Sequence, residues 1–411
     1  MPRISERLQA LKGIEEAVES AVVTLVISPL IQSNHAIEDR ISMLFALHDS
    51  ISLHRYLASR GISAGCHAGN SLEAYIHEYS DTGFQALFRM PRESFWQLVQ
   101  LLTNASSEAY WNQNSTAGRP ARPIYQQIAV GLHTLGGAGG TSENSHFTLN
   151  IGYGSIRRYA WFTINLLTSL MGEYVRWPAQ HARRSDNHRF FRRCIGFLDG
   201  LNIVLRDKPM DDPEAYFSRK KSYGFNIQAI CDWDRKFIWA FMGHTASVHD
   251  STAFKSSDLY RNTGKYFDPK EYVLAEKAYG LERLVITPYK EPTSRLEINT
   301  AFNYQLSIPR VKIEHAFGIL KARWRTISDI PIRIDMDKNK GHKRVIHWTM
   351  ACVVLHNILH SMRDNEEWLG YHDADNREVE LGNAEQESNA EAKRAGTRRR
   401  EELRDLINLS L

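Results

Sequence analysis

The spacing of apolar residues divides the chain into a helical first half and a second half that contains strands. Apolar positions at helical intervals indicate an N-terminal helical region at residues 1–80, whose role no motif reveals. From residue 194 onward, short apolar and β-branched runs alternate with turn residues, which is typical of strands. The pattern therefore predicts an all-helical N-terminal part followed by an α/β domain at residues 194–360.

Residues 81–180 are predicted to form a helical domain with the outline of a helix-turn-helix. The spacing predicts a helix, a short helix, a turn and a third helix at residues 124–135, 142–147, 150–154 and 155–170, respectively. Ser155 would cap the third helix, and Arg157 and Arg158 would lie in its first turn, where such proteins contact DNA. Any three-helix bundle shares this outline, so the pattern is compatible with DNA recognition and with simple packing.

The second half is predicted to contain three antiparallel strands, a helix, two further strands and long helices. The predicted strands are at residues 194–205, 223–233, 236–242, 272–275 and 284–287. The predicted helices are at residues 250–260, 311–325 and 345–362. The pair Asp199-Gly200 is expected to turn the chain or bend the first strand. Residues 363–411 are predicted to form an acidic, mobile tail that ends in a charged helix at 392–409.

Four acidic residues of this half fall at strand ends or on a basic helix. Asp199 lies within or just after the first strand, Asp250 follows the predicted hairpin, Glu276 ends a later strand, and Glu314 lies on the helix at 311–325. Carboxylates that converge from separate elements form the hard oxygen site that Mg²⁺ or Mn²⁺ prefers. Two such ions about 4 Å apart can support phosphodiester transfer. Each acid alone has an ordinary explanation as a turn residue, a cap or a solvated side chain, but their joint placement favours a metal site.

Cations surround Glu314, although the net charge of the chain is only +4. A carboxylate among several cations on one short helix is suited to a metal ligand that lies beside a polyanion. The residues predicted to hold phosphates on this helix are Arg310, Lys312, Lys321 and Arg323.

The composition of the 411-residue chain, with 43% hydrophobic and 24% charged residues, is that of a globular protein with room for two domains. The four cysteines are scattered without a CxxC pair, which indicates a reducing compartment rather than a disulfide framework or a zinc finger. The apolar run at 21–31 is about half the length of a membrane span and contains Pro29, so no membrane location is expected.

A series of motifs between Cys194 and Ile358 resembles PIF/Harbinger-type DDE transposases and the nucleases derived from them. In chain order, they read FLDG, YGFNIQAICD, HDSTAF, LAEKAYGLERLVITPY, FNYQLSIPRVKIEHAFGILKARW and ACVVLHNIL. The resemblance implies an RNase H-like mixed sheet with flanking helices, a divalent metal, and DNA strand cleavage in the nucleus, with the cytoplasm as a second location. The resemblance also implies a separate Myb-like DNA-binding partner protein, and it is compatible with an oligomeric protein. By motif, the acidic positions of the family correspond to Asp199, Asp250 and Glu314, and its second-strand pattern to Asn226 and Gln228.

One motif departs from the family. The strand-end motif of the family resembles GDSGY, whereas this chain has Glu276 in place of the Asp. The extra methylene moves the carboxylate oxygens by roughly 1.5 Å, and catalytic geometry tolerates such displacements poorly. Either Asp250 or Glu276 is therefore the middle acid of the site. The chain is accordingly interpreted as a metal-dependent endonuclease or transposase, or else as a domesticated, non-catalytic protein that binds DNA or a partner. In a third interpretation, a helical interaction protein, the acids would lie far apart.

Overall fold

The computed structural model describes residues 6–27, 35–53, 71–112, 121–137, 142–179, 189–335, 337–364, 368 and 390–409. The chain divides into two compact units. One comprises Met1–Gly69 and Glu108–Arg122, and the other comprises Asn70–Ser107 and Pro123–Leu411. The helices from residue 123 onward therefore belong to the same compact unit as the sheet.

Helices account for most of the described chain. Numbered in chain order, they are α1 (Glu6–Ile27), α2 (His35–Leu53), α3 (Ser71–His77), α4 (Asp81–Phe88), α5 (Arg92–Asn104), α6 (Glu108–Trp111), α7 (Ile124–Gly136), α8 (Ser142–Leu149), α9 (Tyr153–Ser169), α10 (Met171–Tyr174), α11 (Pro213–Tyr216), α12 (Asp250–Lys255), α13 (Asp258–Arg261), α14 (Thr263–Tyr266), α15 (Glu297–Arg323), α16 (Lys338–Ser361) and α17 (Ala390–Asn408). In the first unit, α1 and α2 pack against each other.

The second unit is built around a five-stranded mixed sheet with the order β3-β2-β1-β4-β5. Its strands are β1 (Cys194–Val204), β2 (Gly224–Cys231), β3 (Phe237–Thr245), β4 (Tyr272–Ala275) and β5 (Val285–Ile286). β1 and β3 pair with β2 in antiparallel fashion, whereas β4 pairs in parallel with β1 and β5. The predicted α/β class and the five predicted strands are confirmed. Every residue of β2 is buried, as expected for a strand covered on both faces.

The pair Asp199-Gly200 does not break β1, so the expected turn is wrong. Both residues keep their register with β2, opposite Ala229 and Gln228. The glycine has a packing role instead, because a Cβ at Gly200 would lie 2.2 Å from Oδ1 of Asp250. Gly200 thus allows a carboxylate from another element to lie directly on the strand.

The long helix that carries Glu314 begins at Glu297 rather than at Val311. Its additional turns are tied to the loop after β5 by the side chain of Asn303. The Asn303 amide donates to the carbonyl of Tyr289 at 3.0 Å and accepts from its N–H at 2.8 Å. A contact between residues distant in the chain thus extends a helix whose periodicity was clear only at its end.

The single helix predicted at 250–260 is two short helices, α12 and α13. Ser257 separates them, and its hydroxyl caps the second helix by accepting from the N–H of Tyr260 at 3.3 Å. Serine is among the preferred N-cap residues because its short side chain reaches these N–H groups.

Helix α9 lies where the third helix of the helix-turn-helix was predicted, but its surroundings do not confirm that motif. The helix is capped by Gly152, so Ser155 lies within the first turn and is not the cap. Along its length α9 packs against α7 and α16, with Trp161 edge-on to Trp348 at 6.0 Å between ring centroids. Arg157 is exposed in the first turn, and its contact with DNA stays a prediction.

The motif ACVVLHNIL on α16 holds the edge of the sheet. Asn357 accepts from the N–H of Phe237 at 2.9 Å and donates to the carbonyls of Phe237 and Tyr174 at 2.7 and 2.8 Å. The neighbouring His356 bonds through Nε2 to the carbonyl of Arg235 at 2.9 Å. Burial lowers the pKa of His356 to about 3, so this ring is neutral and donates. The motif is structural.

The charged helix predicted at 392–409 is α17, which covers β5 and packs on α15. Gly396 permits the close approach, since a Cβ there would lie 2.6 Å from the carbonyl carbon of Glu282. The guanidinium of Arg400 lies 3.8 Å from the centroid of the Tyr289 ring. A helix that covers an edge strand protects its unpaired backbone groups.

The acidic stretch between α16 and α17, residues 369–389, lies outside the described residues, and so does most of the mobile tail predicted there. None of the described helices combines the length and the apolar character that crossing a bilayer requires.

Candidate functional site

Three of the predicted acids come from elements that pack at the centre of the sheet. Asp199 lies in β1, Asp250 begins α12, and Glu314 lies on α15. Burial raises the pKa of Asp199 to about 7, the Arg310 guanidinium and the backbone N–H of Gly200 oppose this rise, and the carboxylates of Asp250 and Glu314 add to it. The N–H of Gly200 donates to Oδ1 of Asp199 at 2.8 Å. Asp250 and Glu314 therefore lie close enough to Asp199 for their charges to raise its pKa.

Two side-chain amides from β2 fix the position of Asp250. Asn226 and Gln228 both donate to Oδ1 of Asp250 at 2.7 Å. They are alternate residues of one strand and so face the same side of the sheet. Hydrogen bonds to a carboxylate are charge-assisted and stronger than neutral ones. Together with the open space above Gly200, they hold Asp250 against the middle of the sheet.

A buried tyrosine extends this network, and the sequence analysis did not assign it to the site. The hydroxyl of Tyr279 donates to Oε1 of Gln228, whose amide nitrogen also donates to Oδ1 of Asn226 at 2.7 Å. Burial and the nearby carboxylates of Asp250, Asp199 and Glu276 hold the pKa of Tyr279 well above its usual value, so the phenol stays a donor. The tyrosine of the AEKAY motif was the available signal. The hydrogen bond from Tyr279 orients the Gln228 amide so that its nitrogen faces Asp250.

The alternative middle acid, Glu276, also lies near Asp199. The last pair in the parallel register of β1 and β4 is Leu198 with Ala275, so Asp199 and Glu276 follow directly on neighbouring strands. Glu276 is 7% exposed. Asp250 has the stronger structural support, because two amides hold it and its charge raises the pKa of Asp199.

The segment that contains this site is similar to a family of known proteins. Residues 198–357 match the family described as DDE superfamily endonuclease. We refer to this matched segment, residues 198–357, as the DDE domain. The chain is 23% identical over 300 residues to "Protein ALP1-like" of Arabidopsis thaliana, covering 68% of this chain and 71% of that protein. It is 20% identical over 289 residues to "Putative nuclease HARBI1" of Xenopus laevis, covering 69% and 79%. No solved structure matches. The resemblance to Harbinger-type DDE transposases is confirmed.

The DDE domain has carboxylates of the kind that bind divalent metals, but they do not surround a single metal position. Among the residues that the structure describes, no three His, Cys, Asp or Glu side chains lie close enough to hold a metal ion together. The carboxylates nevertheless fit a hard cation chemically, because Asp250 and Glu314 raise the pKa of Asp199 and a cation would relieve that repulsion. Mg²⁺ usually binds through one or two carboxylates and keeps several waters, so a three-residue cage is not required.

The predicted phosphate-binding residues of the DDE domain have different surroundings. Arg310, Lys312 and Lys321 are half-buried on α15, and Arg310 lies near enough to Asp199 to lower its pKa. Arg323 is 1% exposed and pairs with Asp364, with 3.5 Å between Nη1 and Oδ2. The prediction that Arg323 holds a phosphate is therefore wrong, because it lies on the face of α15 that packs into the core.

The two cations predicted from the helix-turn-helix outline lie on α9. Arg157 is exposed, and Arg158 is half-buried with its guanidinium 5.4 Å from the centroid of the Phe162 ring. Their role in binding DNA stays a prediction.

Proposed function

We propose that this chain is a metal-dependent DNA endonuclease or transposase of PIF/Harbinger type. The observation that carries the proposal is that Asp199, Asp250 and Glu314 come from three separate elements of a DDE domain, with the Asp250 carboxylate packed against Gly200, the residue after Asp199. A strand and two helices carry these carboxylates, and the charges of Asp250 and Glu314 add to the burial that raises the pKa of Asp199. A turn residue, a helix cap and a solvated glutamate would not be expected to lie near one another in the fold.

The acids would hold Mg²⁺ or Mn²⁺, and two such ions, when bound, supply an activated water or 3′-hydroxyl and stabilise the leaving oxygen. The amides of Asn226 and Gln228 fix one oxygen of Asp250 and leave the other to a cation. Arg310 offsets part of the negative charge at Asp199, so the acids can gather in the fold before a cation binds.

The substrate we propose is DNA, with Arg310, Lys312 and Lys321 near the scissile phosphate. These half-buried cations flank Glu314 on α15, and a polyanion approaching three carboxylates needs such compensation. We further propose a nuclear location and a Myb-like DNA-binding partner protein. Both follow from the family resemblance.

A domesticated protein that binds DNA or a partner without cleaving is the second candidate. This candidate is favoured by Glu276, which stands at the strand end where the family motif has Asp. It is also favoured by the spacing of the acids, since no three ligating side chains of the described residues lie close enough to hold a metal ion together. Such a protein would keep the amide network around Asp250 only as part of its fold.

Nicking of supercoiled plasmid by purified protein with Mg²⁺ or Mn²⁺ tests the proposal. We expect nicking that EDTA abolishes and that falls at least 100-fold in Asp199→Asn, Asp250→Asn and Glu314→Gln, which remove acids of the site. Glu297→Gln, an exposed change on the same helix as Glu314, is the matched control and should nick normally. Loss in Glu276→Gln but not in Asp250→Asn would assign the middle acid to the strand end. Folded wild-type protein that nicks with neither ion, also when a DNA-binding partner is supplied, would contradict the proposal.

A further inference from the structure

Three consecutive cations form an exposed turn close to Asp250. Arg219, Lys220 and Lys221 lie between α11 and β2, and all three are exposed. Neither the sequence analysis nor the function proposed above uses them. Their exposure and their position near Asp250 favour a role in binding.

The turn is held by its own hydrogen bonds. The N–H of Ser218 donates to the carbonyl of Ser222 at 2.8 Å, and the N–H of Lys221 donates to the carbonyl of Ser218 at 3.0 Å. The hydroxyls of Ser218 and Ser222 lie 2.9 Å apart and share a hydrogen bond. Lys221 has φ 59°, in the left-handed region that favours glycine.

The turn is fastened to the acidic site at two places. On one side, Nη2 of Arg219 lies 2.6 Å from Nδ1 of His249, the residue directly before Asp250. On the other side, the chain continues within a few residues into β2, where Asn226 and Gln228 hold the Asp250 carboxylate. The turn therefore lies beside the elements that hold the Asp250 carboxylate.

We propose that Arg219, Lys220 and Lys221 bind the phosphodiester backbone of the DNA strand next to the bond that is cut. The proposal rests on the proposed function, because it takes DNA as the substrate of the site. Three carboxylates repel a polyanion, and the exposed turn beside Asp250 supplies positive charge where the strand must approach. Contacts of this kind position the strand and carry no sequence preference.

Metal-free equilibrium binding of a fluorescein-labelled duplex oligonucleotide in EDTA, over a series of salt concentrations, tests the proposal. The logarithm of the binding constant falls with the logarithm of salt by about 0.9 for each phosphate neutralised. Lys221→Gly removes one charge at a backbone conformation that glycine favours, so it should lower this slope by about 0.9 without loss of folding. The triple variant Arg219→Gln/Lys220→Gln/Lys221→Gly should lower it by about 2 to 3, and Lys221→Arg should keep the wild-type slope.

Lys270→Gln is the matched control. Lys270 is an exposed lysine just before β4, at the opposite end of that strand from Glu276, and its loss should leave the slope unchanged. A wild-type slope in the triple variant, an equal reduction in the control, or a wild-type protein that binds no duplex would overturn the inference. Protein that shows the predicted slopes but never nicks would instead contradict the proposed cleavage while supporting this DNA contact.

Discussion

Replacing Gly200 by alanine tests whether Asp250 must lie on β1. A Cβ at this position would be 2.2 Å from Oδ1 of Asp250 and 2.8 Å from Nε2 of Gln228, whereas ordinary contacts begin at 3.4 Å. The Asp250 carboxylate would therefore have to move by about 1 Å. Such a movement lengthens its 2.7 Å hydrogen bonds from Asn226 and Gln228 beyond the usual range.

The expected cost of Gly200→Ala has two parts. Complete loss of a hydrogen bond to a charged group costs roughly 1.5–3 kcal/mol, and the substitution weakens two such bonds. Alanine in a strand is favoured over glycine by about 0.5–1 kcal/mol, which offsets part of this cost. We expect the free energy of unfolding to fall by about 2–4 kcal/mol. A misplacement of about 1 Å should lower the nicking rate roughly 100-fold.

Urea unfolding and plasmid nicking measure these two effects. Gly264→Ala is the matched control, because nothing lies within 4 Å of a Cβ there. In the background of Asp250→Ala, the carboxylate no longer obstructs the methyl group, so Gly200→Ala should cost at least about 1 kcal/mol less. Wild-type stability and nicking in Gly200→Ala would refute the placement of Asp250 on the strand.

Three further changes probe the surroundings of the acids. Tyr279→Phe removes the donor to Gln228 and should cost about 1–2 kcal/mol in urea unfolding and lower nicking about tenfold; unchanged nicking would exclude a positioning role. Arg323→Met leaves Asp364 buried without its cation, so we expect the free energy of unfolding to fall by about 3–5 kcal/mol. The salt dependence of DNA binding should not change, and a reduced dependence would show that Arg323 contacts a phosphate. The pKa of Asp199 is raised from 3.8 to about 7 in the folded protein. Between these two values the folded metal-free protein keeps a proton that the unfolded chain loses. The free energy of unfolding should therefore fall as pH rises from about 4 to about 7, by at most about 4 kcal/mol. Urea unfolding of Asp199→Asn in EDTA should show a smaller loss over this window, and an identical loss would place the titration elsewhere.

The strands and the acids could be predicted because their signals are local. Each strand is a short apolar run between turn residues, and β4 has the predicted bounds Tyr272–Ala275. Asp199, Asp250 and Glu314 each lie in a short acidic motif that can be found without the fold.

The remaining features depend on contacts between distant parts of the chain. Arg323 resembles a surface cation in its helix, but Asp364 and the Trp368 ring enclose it. Gly200 looks like a turn residue until Asp250 is placed above it. Tyr279 reaches Gln228 only because β1 brings β2 and β4 into the same sheet. No local pattern carries this information.

Binding of Mn²⁺, followed by electron paramagnetic resonance of the free ion, tests the central claim most directly and does not depend on turnover. The account predicts that wild-type protein binds Mn²⁺, and that Asp199→Asn, Asp250→Asn and Glu314→Gln each lose that binding. The control Glu297→Gln should bind as the wild type does. A wild-type protein that binds no Mn²⁺, or binding that survives all three substitutions, would contradict a metal site at these acids.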